Sequence, residues 1–196
     1  MTTYIITELI LKGMPETEQI QLRRECNNQL ELDLSLENLT VLPDLSLYTN
    51  LQILHCSFNQ LTSLDNLPLT LQELVCDHNQ ITSLNHLPPN LQGLWCYNNQ
   101  LTHLKHLPSN LQTLICYNNQ LKHLKHLPST LQILNCSFNQ LTRLGVILPE
   151  LCCYQNPIYT TCNELYGFEL SEKTIEQYNE IKRIENAEKE CCPLLK

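Results

Sequence analysis

A twenty-residue period dominates the chain and constrains its architecture more than any other feature. Leu51, Leu71, Leu91, Leu111 and Leu131 each open a copy: LQILHCSFNQLTSLDNLPLT, LQELVCDHNQITSLNHLPPN, LQGLWCYNNQLTHLKHLPSN, LQTLICYNNQLKHLKHLPST and LQILNCSFNQLTRLGVI. Counted from the opening leucine, apolar residues recur at repeat positions 1, 4, 6, 11, 14 and 17, asparagine holds position 9, and proline usually holds position 18. The fifth copy is three residues short, and the register resumes at Leu148 with Leu151, Cys153, Asn156 and Ile158. A degenerate 22-residue copy precedes them all, with Leu32, Leu34, Leu39, Leu42 and Leu45 in place but Glu37 where asparagine is expected. Seven rungs result, over residues 29–163.

Alternation across repeat positions 3 to 7 directs 4 and 6 inward and 3, 5 and 7 outward, the signature of a half-buried strand. Each strand leads through a return of about a dozen residues to the next parallel strand, a connection that is right-handed in nearly all proteins. Little of the unit is left for that return, and Pro68, Pro88, Pro108 and Pro128 interrupt it. A full convex helix does not fit, so an extended or polyproline-like return is expected. One rung cannot cover its own apolar side chains; only stacking makes the array stable.

The residues quoted above resemble the leucine-rich repeat pattern L-x-x-L-x-(L/C)-x-x-N-x-L over about two thirds of the chain. The short unit and its L-P-x-x-L-Q junction are similar to bacterial effector repeats, some of which belong to ubiquitin ligases. The C-x-x-N-Q-L-T-x-L wording is closer still to leucine-rich repeat proteins of giant DNA viruses of the mimivirus kind. The resemblance implies a solenoid with a parallel β-sheet on its concave side, and a host-directed or particle-associated role. The ligases carry a catalytic Cys-x-Asp, which this sequence lacks.

End rungs need covers. Residues 1–28 are expected to form an N-terminal helical cap, with helices over 3–12 and 15–27 separated at Gly13 and Pro15. Residues 164–196 are expected to form a C-terminal helical cap around a helix over 171–189, with Ser171 as N-cap and Ile175, Tyr178, Ile181 and Ile184 as its apolar stripe. Charge follows the same division. Residues 1–50 hold 8 acids and 3 bases, 51–163 hold 4 and 4, and 164–196 hold 8 and 5. The net charge of -8 argues against general nucleic-acid binding, which needs cations to displace phosphate counterions. No apolar run approaches the length of a membrane span. The first residues lack a basic segment ahead of an apolar one, so no secretory signal is expected.

Eleven cysteines suggest a disulfide or zinc framework until they are placed. Cys56, Cys76, Cys96, Cys116, Cys136 and Cys153 share repeat position 6, which points into the core, where a free thiol behaves as a small hydrophobe. Neighbouring side chains there run parallel, a poor geometry for a disulfide. Cys26, Cys152, Cys162, Cys191 and Cys192 lie outside the column, and no C-x-x-C pair suggests structural zinc. Reduced thiols fit an intracellular, cytoplasmic setting. Asn59, Asn79, Asn99, Asn119, Asn139 and Asn156 stand where each strand turns, placed to satisfy exposed backbone groups.

Two columns on the outward face carry the functional expectation. Position 5 reads His55, Val75, Trp95, Ile115, Asn135, Cys152, and position 7 reads Ser57, Asp77, Tyr97, Tyr117, Ser137, Tyr154. Trp95, Tyr97, Ile115 and Tyr117 fall on adjacent rungs beside Val75, Asp77 and Tyr154, a cluster of the kind that forms protein-binding hot spots. The alternative is cross-strand stacking alone. A second stripe on the return gathers His86, His103, His106, His123 and His126 with Lys105, Lys122 and Lys125. Facing histidines can chelate a transition metal, but lysines among them repel a cation and no carboxylate orients the rings. A solvated surface, or a site for an anionic partner, fits the stripe better. The sequence shows no Ser/His/Asp set, no paired carboxylates and no glycine-rich phosphate loop. It therefore reads as a non-enzymatic module that binds a protein partner on its concave face, with no metal site, no cofactor, no nucleic acid and no membrane. Metal or anion binding along the stripe, or a structural role in a virion, is the alternative.

Overall fold

The structure is a computed structural model that describes residues 25–157 apart from 27, 143, 145–147 and 149. Both expected helical caps fall largely or wholly outside the described residues. Among those residues, seven short strands form one parallel sheet in strict sequence order. They are β1 (Glu31–Asp33), β2 (Ile53–His55), β3 (Glu73–Val75), β4 (Gly93–Trp95), β5 (Thr113–Ile115), β6 (Ile133–Asn135) and β7 (Glu150–Cys152). Pairing joins equivalent repeat positions throughout: Leu54 faces Leu74, Leu74 faces Leu94, and Leu94 faces Leu114. The twenty-residue count is thus the sheet register itself. Each turn of chain is one rung of a β-solenoid.

Alternation works as expected on the inner face. Leu54, Leu74, Leu94 and Leu114 at position 4, and Cys56, Cys76, Cys96 and Cys116 at position 6, are fully buried. Leucines or isoleucine at positions 1 and 11 close the same core from the return side, as Leu51, Leu61, Leu71 and Ile81 show. The described return residues of rungs 2 to 5 hold no helix and end in a turn, where the amides of Leu71, Leu91, Leu111 and Leu131 bond to the carbonyl of the position-18 proline, as in Leu91 N to Pro88 O (3.2 Å). Proline gives up its own donor there without loss, because its carbonyl is the group in use.

The asparagine ladder ties one rung to the one before it. Asn99 donates through Nδ2 to Cys76 O (3.0 Å) of the preceding rung and to Cys96 O (3.2 Å) and Tyr97 O (3.2 Å) of its own. Its Oδ1 accepts the amide of Ile81 (2.9 Å), again in the preceding rung. Asn79, Asn119, Asn139 and Asn156 repeat the pattern, and Asn59 makes it with Leu34 O (2.8 Å) and the Leu39 amide (2.9 Å). Because each asparagine reaches backward, the first rung needs none of its own. Glu37 occupies that place and stands exposed.

The described cysteines are free thiols. Burial pushes Cys56 and Cys116 up to about 12 and holds Cys76, Cys96 and Cys136 well above the ordinary thiol value of 9.0. Folding therefore favours the protonated thiol. Below pH 9 both states are protonated and nothing is lost; above it the unfolded chain ionises first and stability falls toward pH 12.

Two outcomes follow from this packing. Asn99→Ala leaves the buried Ile81 amide without a partner and removes one of two donors from Cys76 O and Cys96 O, which keep Asn79 and Asn119. It is expected to cost about 1–3 kcal/mol in urea denaturation, whereas Glu37→Ala stays within about 0.5 kcal/mol. The melting temperature is expected to hold up to about pH 9 and then drop, with a shallower alkaline fall once Cys76 and Cys96 are both replaced by alanine.

Candidate functional site

The outward face of the sheet carries the second half of the alternation. Val75, Trp95 and Ile115 are cross-strand neighbours in register on β3, β4 and β5, and each is half-buried. The indole of Trp95 lies back along its own strand over Gly93, so close that a Cβ on Gly93 would stand 2.4 Å from the ring. Other rungs carry Ile53, Glu73, Thr113 or Ile133 at that position. Gly93 thus leaves the space that the outer rim of the indole occupies. A glycine in the same rung as the chain's single tryptophan was the sequence signal for this arrangement.

Beside that row, Tyr97 and Tyr117 stack with ring centroids 4.5 Å apart and planes 12° from parallel. The Tyr97 hydroxyl interacts with the Asp77 carboxylate, and burial together with that negative charge pushes it up to about 12. Tyr117 is raised too, chiefly by burial. Both rings therefore remain neutral phenols. Tyr154 is half-buried two rungs further on, with its ring against Phe138 (5.3 Å, edge-on).

Asp77 departs from expectation. It was placed on the outward surface as a flank of the patch, yet only 2% of it is exposed. Its Oδ1 accepts from Ser57 Oγ (2.6 Å) and its Oδ2 pairs with His78 Nδ1 (2.8 Å), so it supports neighbouring rungs from below instead of offering a charge. Ser57 and Ser137 in the same column are likewise buried. Small polar side chains at position 7 sink between larger neighbours, whereas tyrosines there reach the surface. Period-2 alternation gives the face, not the height above it.

The same contacts correct a second expectation. Ser57, Asp77 and His78 do come together, although the sequence suggested no such set. Their order is wrong for nucleophilic catalysis: the carboxylate sits between hydroxyl and imidazole, so no ring nitrogen is shown receiving the Ser57 proton.

Sequence reasoning missed position 8 altogether. Phe58, His78, Asn98, Asn118, Phe138 and Gln155 share a left-handed backbone, with φ between 51° and 57°. For phenylalanine this is a strained conformation. The kink swings position 8 alongside position 7 and extends the aromatic row. Phe58 stacks on His78 (4.1 Å, 12°), and His78 meets Tyr97 edge-on (5.4 Å). Phe58 and Phe138 remain 51% and 48% exposed. The residue types in this column vary too much to form a visible pattern. Toward β1 the surface turns polar, with His55 Nε2 3.4 Å from Glu31.

The histidines and lysines of the return do not converge. His86, His106, His123 and His126 and Lys105, Lys122 and Lys125 are exposed, and His103 is half-buried. Among the described residues no three His, Cys, Asp or Glu side chains are placed to hold a metal ion, and no helix is long and apolar enough to cross a membrane.

This geometry is that of a leucine-rich repeat solenoid, and the chain belongs to that family. The leucine-rich repeat domain of a Shigella effector is 34% identical over 74% of this chain and 70% of that one, with a TM-score of 0.63. YopM, a leucine-rich effector protein from Yersinia pestis, is 37% identical over 72% of this chain and 42% of its own, with a TM-score of 0.61. The functional domain of InlJ from Listeria monocytogenes, which includes a cysteine ladder, is 28% identical over 67% of this chain and 36% of its own, with a TM-score of 0.54. No family model and no curated protein matches the chain.

Gly93→Thr is expected to lift the indole off its strand. With one tryptophan in the chain, the check is direct: emission should shift to longer wavelength while the far-ultraviolet circular dichroism is unchanged.

Proposed function

We propose that this protein is a non-enzymatic interaction module that grips a protein partner on the concave face of its sheet, centred on Trp95, Tyr97, Ile115 and Tyr117. The observation that carries this reading is the indole packed back against Gly93 in register with Val75 and Ile115, beside the stacked tyrosines. Aromatic groups held rigid before a partner arrives lose little entropy on binding, which is why such residues dominate hot spots. Phe58 and Phe138 extend the surface, since strained and half-exposed phenylalanines contribute nothing obvious to the core. Asp77 serves this site as a support for Tyr97 and His78, and Tyr154 marks its far edge.

Resemblance to effector leucine-rich repeats supports a protein partner, and the arrangement of Ser57, Asp77 and His78 supports the non-enzymatic reading. Free thiols in the core support an intracellular setting. The wording of the repeat supports a place near the giant-virus proteins and is the only ground for it.

The test replaces Trp95, Tyr97, Ile115 and Tyr117 by serine and compares affinity capture with the unaltered protein, after circular dichroism has shown the variant folded. Partners held by the native surface should be lost by about tenfold or more, since each hot-spot truncation costs about 2 kcal/mol or more. An unchanged set of partners rejects the surface.

A further inference from the structure

The return side of rungs 3 to 5 carries an electrostatic feature that the sheet face does not explain. Between His78 and Pro149 there is not one aspartate or glutamate, while the returns of rungs 3 to 5 hold Lys105, Lys122 and Lys125 and five of the seven histidines. The whole chain is at net -8, so this stretch stands against its own background. Repetition makes it an ordered feature. Lys105 and Lys125 share repeat position 15, and His86, His106 and His126 share position 16, all exposed. The strand register places equivalent positions on successive rungs about 4.8 Å apart. The bridge between Leu124 and Leu144 and the bond from Gln120 N to Leu101 O (2.9 Å) show that rungs remain in step on this side too. His106 and His126 hold a left-handed backbone (φ 56° and 54°), so both turns present the side chain from the same conformation.

Like charges stacked on successive rungs repel one another. A chain rich in acids elsewhere places none between them. In the same column Asp65 stands two rungs from Lys105 with Asn85 between, and its Oδ2 accepts from Ser63 Oγ (2.9 Å). We infer that this stripe is a second interaction surface, on the side opposite the aromatic one, and that it docks an acidic polypeptide segment.

The occupant follows from what surrounds the stripe. Single-stranded nucleic acid needs aromatic platforms for its bases, and in rungs 3 to 5 every aromatic ring, Trp95, Tyr97 and Tyr117, belongs to the other face. An anionic bilayer is flat and wide and would also meet the return of the first rung, where Asp44 is exposed and no lysine or arginine accompanies it. A narrow acidic segment lies along the cations and avoids that repulsion.

The experiment uses the full chain and a fluorescent oligo-glutamate peptide of about ten residues, followed by anisotropy at low salt. Binding is expected and should weaken as salt is added. Lys105→Glu with Lys125→Glu should abolish it. Trp95→Ser should bind the peptide as the native chain does. Equal binding by the charge-reversed variant overturns the inference, as does capture of phosphatidylserine vesicles or oligouridylate in place of the peptide.

Discussion

Every structural property of this chain depends on the parallel register that sets like over like at one-rung spacing. It is maintained by two sets of bonds that do different work. Strand amides pair across β1 to β7, and each asparagine spans the bend between one rung and the next through three donations and one acceptance. The bend would otherwise leave buried carbonyls and amides without partners, a cost of about 1–3 kcal/mol for each group. The sheet is narrow, three residues per strand, so the bends carry as much of the architecture as the strands do.

Register also explains why the core is made of leucine and cysteine. A position repeated at every rung meets its own copies above and below, so a residue type succeeds there only if it packs against itself. Leucine does so at positions 1, 4 and 11, and the smaller thiol does so at position 6, where the chain is about to turn and space is limited. The same rule acts outside. Tyr97 stacks on Tyr117, while Ser57 lends its hydroxyl to Asp77 and Tyr97 engages the other side of that column. Identity between rungs builds ladders, and departures from identity, such as Trp95 with Gly93, make local surfaces.

The fold was legible because period and burial are the same information in a solenoid: counting in twenties gave the inward cysteines, the asparagines at the bends and the outward placement of Trp95, though not the backward reach of those asparagines. The site was legible only in part. Alternation assigns a side chain to a face but says nothing of its height, so Asp77 and the small serines of position 7 were expected at the surface and lie beneath it. Position 8 was invisible for a different reason. Its left-handed backbone comes from the geometry of the bend and tolerates phenylalanine, histidine, asparagine and glutamine alike, so no residue pattern betrays it. Asp77 meets Ser57 of the preceding rung, a contact between residues 20 positions apart that no local motif encodes.

Backward reach by the asparagines has a bearing on how such a chain changes length. Each one depends on the carbonyl and amide of whichever rung precedes it, and those groups are the backbone, present whatever the side chains are. A duplication or deletion of one whole unit therefore restores every bond across the new junction. Inheritance can lengthen or shorten the protein in steps of a single rung without inventing a fresh joint. Its outward surface can be reshuffled by copying rungs, while substitutions at the outward positions alter each copy separately.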